Sequence, residues 1–362
     1  MRKRLRNPLK LARAHGKVIL RNAYLLPVVA RSYFRLLVLR KPTLRGVEFA
    51  ITYRCQCRCS HCLKDTLIDA GRAELNPAEI GRAVRGMANV GLLFCNLTGG
   101  EALLRQDFYE IVGACRPRKL FVTLASNGKD VDRAKVRRLK AAGIRMVTFS
   151  LDSAEATAHD KGRGCDGVFA DVVTGVEACR AEGIPVFINA IATHENVSSG
   201  DLNALTRLVA GWDALLTINL PYLVGSWHGR TDLLLDEDEM ARVREIMELP
   251  HVRWEGSSNY LTEGCPAGTE KVYVTPYGDV MPCAAIHASY GNVREEPFET
   301  IYLRMRRTPI FCGANGPCLT GGNRRFQCEA LPEINRLAYE GKDPRKGVEV
   351  LERLRREDYE KR

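Results

Sequence analysis

Six apolar runs that read as β-strands alternate with helix-like stretches between residues 46 and 220, and this alternation constrains the chain more than any other feature. The strand-like runs are Gly46–Tyr53, Leu92–Thr98, Leu120–Ser126, Arg145–Leu151, Pro185–Ala192 and Leu215–Leu220. Between them lie Pro77–Asn89, Gln106–Cys115, Val131–Ala142, Val168–Glu182 and Asp201–Val209. A helix after each strand returns the chain to the starting edge, so successive strands run parallel. The expected fold class is α/β, a partial (β/α)6 TIM-like barrel followed by a small cysteine-rich module. Chemistry in such a barrel gathers at the C-terminal ends of the strands.

The rhythm and the charge divide the 362 residues into five stretches. Residues 1–45 form a basic, partly helical arm with 13 Lys/Arg and no acid, which leaves 41 basic residues against all 43 acids in the body. The body is therefore near neutral, and a nucleic-acid partner is not expected. Asn7-Pro8 reads as a helix start, after which Lys10, Arg13, Lys17 and Arg21 form one basic stripe. Residues 46–225 form the barrel, 226–262 a connecting helix and linker, 263–330 the cysteine-rich module and 331–362 a charged helical tail. The longest uncharged run of the arm, Asn22 to Ala30, is nine residues, and a membrane span needs about 20.

Thirteen cysteines in a chain this large read as metal ligands in a reducing compartment rather than as disulfide staples, so the expected location is cytoplasmic. Cys55, Cys59 and Cys62 leave the end of the first strand on one short loop. Three thiolates there can hold three irons of a 4Fe–4S cube and leave the fourth iron open. Cys57 adds a fourth thiol, so a closed zinc site is the alternative, but positions 55, 57 and 59 alternate on too short a loop for easy convergence. Cys57 then reads as a bystander and His61 as a residue that shapes the loop. Thr98-Gly99-Gly100-Glu101 ends the second strand, Ser126-Asn127-Gly128 the third, and Ser150 and Asp152 the fourth, with Arg163 following and Asn196 after the fifth.

This ordered set resembles the radical S-adenosylmethionine superfamily. The resemblance implies that Cys55, Cys59 and Cys62 bind a radical-generating 4Fe–4S cluster. It implies that Gly99, Gly100, Glu101, Ser126, Asn127, Ser150, Asp152 and Arg163 contact S-adenosylmethionine. In the module, Cys265, Gly278 and Cys283 resemble the opening of a SPASM or twitch auxiliary-cluster domain, and Cys312, Cys318 and Cys328 follow. Five cysteines cannot ligate two clusters, so one auxiliary 4Fe–4S cluster is expected on Cys265, Cys283, Cys312 and Cys318. Cys328 is the alternative to either of the last two, and a zinc site is the alternative to the cluster. Cys95, Cys115 and Cys179 read as packing residues.

The implied chemistry is reductive cleavage of S-adenosylmethionine to a 5′-deoxyadenosyl radical, which takes hydrogen from an unactivated carbon. A reductant such as flavodoxin or ferredoxin is implied as partner. The 45 residues before the barrel are too few for a cobalamin-binding or winged-helix peptide-recognition domain. A lipid or small-molecule substrate is thus expected first. A ribosomal-peptide maturase is the alternative within enzymes, and a non-catalytic metal scaffold the alternative outside them. Basic charge beside Tyr24, Leu25, Leu26, Tyr33, Phe34 and Leu37 leaves two readings of residues 1–40: binding an anionic membrane surface, or packing across the open side of the barrel.

Overall fold

A computed structural model of the protein describes residues 23–116, 119–254, 264–311, 318–340, 343 and 345–360. The basic stripe expected from Asn7 and the expected ligand Cys312 lie outside the described residues. All six expected strands are present: β1 Gly46–Thr52, β2 Phe94–Gly99, β3 Phe121–Ser126, β4 Val147–Ser150, β5 Val186–Ile191 and β6 Leu215–Asn219. They pair in parallel and in chain order, as a partial barrel requires. Three further strands extend the sheet to nine. β7, Val252–Trp254, pairs in parallel with β6, in the stretch read from sequence as helix and linker. β8, Lys271–Val274, pairs in parallel with β1, and β9, Val280–Met281, closes an antiparallel hairpin on β8. The cysteine-rich segment therefore continues the barrel sheet.

Local chemistry accounts for the elements. Pro77–Asn89 matches its expected span because Asn76 caps it and accepts from the Glu79 amide, while Glu79 reaches back to the Asn76 amide. The helix after β3 starts at Arg133, two residues later than expected, because Asp132 accepts from the Lys135 amide and caps it. Along β1, Val47, Phe49 and Ile51 point outward into a core with Ile80, Val84 and Met87, all buried. The alternate residue Glu48 points into the barrel.

The second half of the arm closes the N-terminal end of the barrel. Leu26–Tyr33 is a helix that continues as one π turn to Val38. Its Ser32 hydroxyl donates to the Gly91 carbonyl at 3.2 Å, and the Arg45 guanidinium lies over the Tyr33 ring at 5.4 Å. Leu25, Val28, Val29 and Tyr33 line the floor of the barrel cavity. Within the described residues, then, the arm packs across the open side of the barrel.

The turn between β8 and β9 depends on Gly278, whose φ is +98°. A Cβ there would sit 2.7 Å from Asn292 Oδ1, the residue whose amide group binds the Tyr277 carbonyl and Asp279. Gly278→Ala should destabilise the hairpin by about 1–3 kcal/mol, read as a lower thermal unfolding temperature. Unfolding at the parent temperature would contradict this account of the turn.

Candidate active site

The loop after β1 is held by three neighbours. The end of β2 presses on its first residues: the Gly100 amide donates to the Thr52 carbonyl and the Glu101 amide to Arg54, both at 2.8 Å. A Cβ on Gly99 would lie 2.0 Å from the Thr52 oxygen, and one on Gly100 2.3 Å from the Arg54 oxygen. Only glycine permits this approach. The end of helix Ala156–Arg163 receives the middle of the loop, where Arg58 and Ser60 amides donate to the carbonyls of Arg163 and Gly162. The segment after β6 takes the far end, with the Ser226 amide donating to the Cys62 carbonyl at 3.0 Å.

So held, Cys55, Cys59 and Cys62 face one cavity of about 920 Å³ that fills the barrel mouth and interior. Their thiols are free. Asn127 donates to Cys55 Sγ at 3.6 Å and Arg163 to Cys59 Sγ at 3.8 Å. A hydrogen bond from Cys57 lowers Cys55 to about 6. Burial raises Cys59, and it raises Cys62 to about 11, so these two ionise when a metal cation replaces their protons. Cys57, mostly buried beside Cys55 and Cys165, lines the same cavity. The donor set and its shared exposure to one cavity fit an iron–sulfur cluster on this loop.

Gly99, Gly100, Ser126, Asn127, Ser150, Asp152 and Arg163 all line the same cavity. Asp152 is half-buried; desolvation alone would raise its carboxyl, but the Arg163 guanidinium at 2.6 Å, helped by His61, holds it below the usual range. Its Oδ1 also accepts from the Ile191 amide, and Asn196 donates to its carbonyl. His61 stands 3.7 Å from Asp152 and edge-on to Trp227, and burial lowers it to about 4. Glu101 is placed differently. It is absent from the cavity wall, and its carboxylate accepts from Ser126 Oγ at 3.0 Å, the Asn127 amide at 2.8 Å and the Leu103 amide at 3.1 Å. Burial raises it to about 7. In this structure it ties the end of β2 to the end of β3.

On the β8 side of the same cavity lie Cys265, Cys283 and Cys318. A hydrogen bond from Cys318 lowers Cys265 to about 6, and burial raises Cys283 to about 12. Cys328 is exposed and away from this wall, whereas Cys95, Cys115 and Cys179 are buried in the core. Between the two cysteine sets the largely apolar cavity carries several polar pairs. Lys271 pairs with Glu48 at 2.5 Å, Thr123 donates to Asn96 at 2.8 Å, and Asn219 donates to Asn189 at 2.9 Å. Thr148, Thr217 and Tyr222 complete this wall. Its signal stood in the sequence as single polar residues at alternate positions of otherwise apolar strands, the inward face of a barrel.

Two family models match this chain: the radical SAM superfamily over residues 49–208, and an iron–sulfur cluster-binding domain, SPASM, over residues 265–318. Among curated relatives, an AdoMet-dependent heme synthase of Nitratidesulfovibrio vulgaris is 25% identical over 76% of this chain and 85% of its own length. A PqqA peptide cyclase of Methylobacterium sp. is 28% identical over 80% and 83%, and the mycofactocin maturase of Mycobacterium ulcerans 29% over 82% and 86%. Two solved structures share the fold, each with a TM-score of 0.59. Streptococcus suis SuiB bound to its precursor peptide SuiA covers 83% of this chain and 71% of SuiB at 15% identity. AdoMet-bound anSMEcpe covers 84% and 99% at 14% identity. Together the two family matches span more than half of the chain and each contains one of the cysteine sets just described, so the chain belongs to the radical S-adenosylmethionine superfamily and is an iron–sulfur enzyme with a SPASM domain.

Proposed function

We propose that this radical S-adenosylmethionine enzyme modifies a peptide. The observation that carries the reading is the similarity to the PqqA peptide cyclase and the mycofactocin maturase, each aligned over four-fifths of the chain. That similarity outweighs the lipid or small-molecule substrate expected from the shortness of the segment before the barrel. Polar groups on the largely apolar wall suit amide groups as well: the side-chain NH2 groups of Asn96 and Asn189 can donate to a peptide entering the mouth. A tetrapyrrole-like small molecule is the second reading, favoured by the similarity to the heme synthases.

When bound, the cluster and S-adenosylmethionine supply one-electron cleavage of a carbon–sulfur bond and, from it, the 5′-deoxyadenosyl radical. The chain holds and orients these groups. Cys55, Cys59 and Cys62 hold the cluster through three thiolates. Gly99, Gly100, Ser126, Asn127, Ser150 and Arg163, which line the cavity, would contact S-adenosylmethionine. Asp152 keeps the Arg163 guanidinium in place, and Glu101 fixes the turn that carries Ser126 and Asn127. Cys265, Cys283 and Cys318 contribute to one auxiliary cluster, with Cys312 as the fourth ligand. A reductant such as flavodoxin or ferredoxin would supply the electron.

Cys59→Ala should abolish 5′-deoxyadenosine formation and remove the iron of one cluster while the auxiliary iron stays. Product formation at the parent rate would refute the loop assignment. The anaerobically reconstituted parent should bind about eight irons per chain, four per cluster. About four would mean that the second module holds no cluster, and about twelve would mean further ligands. For the substrate, the reconstituted enzyme with reductant and S-adenosylmethionine is incubated with peptides encoded beside its gene. A changed peptide mass that requires S-adenosylmethionine supports the maturase reading. Turnover of a porphyrin precursor, with every peptide unchanged, would overturn it in favour of the second.

A further inference from the structure

The helix that closes the barrel floor has a second face, and that face is unusual. Ten large apolar residues are exposed among the described residues, and six of them, Tyr24, Leu26, Phe34, Leu37, Val38 and Leu39, lie between positions 24 and 39. The outermost, Leu37 and Val38, are 58% and 62% exposed. Leu26, Ala30, Phe34 and Leu37 recur at helical spacing on the outer side, opposite Leu25, Val29 and Ser32, which pack against the barrel. A contiguous exposed apolar stripe of this kind marks an interaction surface.

The residues around the stripe identify the partner. Exposed Arg31, Arg40 and Lys41 flank it, and no acid occurs in the first 45 residues. Between Tyr24 and Lys41 no Ser, Thr, Asn or Gln is exposed. Exposed apolar side chains flanked along the chain by cations and by no acid match acyl chains beneath anionic headgroups. The rest of the chain carries 41 basic and 43 acidic residues, so the attraction is confined to this end. We infer that the outer face of residues 24–41 docks the enzyme on an anionic lipid surface. It lies at the N-terminal ends of the strands, opposite the loop that carries Cys55, Cys59 and Cys62, so a docked enzyme keeps its mouth turned away from the lipid. The inference is independent of the substrate.

The test is sedimentation of the full-length, iron-loaded enzyme with vesicles of phosphatidylcholine containing about 30% phosphatidylserine. The enzyme should pellet with these vesicles at low salt, should bind pure phosphatidylcholine weakly, and should be released at about 0.5 M salt. A combined Arg31→Glu, Arg40→Glu and Lys41→Glu variant should lower the partition coefficient about tenfold or more. A Phe34→Ser and Leu37→Ser variant should also bind weakly. Both alter exposed side chains, so both should keep the parent unfolding temperature and 5′-deoxyadenosine yield. An enzyme that stays in the supernatant at low salt overturns the inference. So do variants that bind as well as the parent, since binding would then lie elsewhere. A concentration-dependent dimer that is lost in Phe34→Ser and Leu37→Ser, without vesicle binding, overturns it by assigning the face to a second copy of the chain.

Discussion

The site depends on the two-sided pairing of β1. This strand is hydrogen-bonded in parallel to β2 on one side and to β8 on the other, with Gly46 opposite both Phe94 and Lys271. The loop bearing Cys55, Cys59 and Cys62 leaves its C-terminal end, while Cys265 precedes β8 and Cys283 follows β9. Both cysteine sets are thus registered to the same strand, and their relative position is set by backbone hydrogen bonds rather than by a docking surface between separate bodies. A one-residue slip of β8 against β1 would turn the inward side chains of β8 outward, taking Lys271 out of the cavity and away from Glu48.

Much of this was legible because the decisive signals are local. Strand and helix periods, the cap at Asn76 and the spacing of Cys55, Cys59 and Cys62 can be read within short windows. The pairing of β8 with β1 could not be. It joins residues more than two hundred positions apart, and a four-residue strand amid glycine and proline carries no period that names its partner. β7 is only three residues long and was lost for the same reason. Within the site, the polar end of each strand was legible as a motif, but the direction of each side chain was not. Glu101 is an acid at a strand end, as Asp152 is. The difference between them arises from the Ser126 and Asn127 donors that turn one carboxylate inward and the Arg163 guanidinium that holds the other at the cavity wall.

The two thiol sets also share an electrostatic pattern. In each, one cysteine accepts a hydrogen bond from a neighbouring thiol and is lowered to about 6: Cys55 from Cys57, and Cys265 from Cys318. In each, burial raises others, Cys62 to about 11 and Cys283 to about 12. Thiols still protonated before metal arrives would lose their protons on binding it. Loading of either site therefore releases protons and is favoured by higher pH.

The helix across the barrel floor makes the cavity a cul-de-sac. Leu25, Val28, Val29 and Tyr33 stand where a through-channel would have its exit, so whatever enters between the cysteine sets leaves by the same mouth. A polymer cannot be threaded through such a chamber. A polymeric substrate would offer it only an end, a side chain or a bent segment.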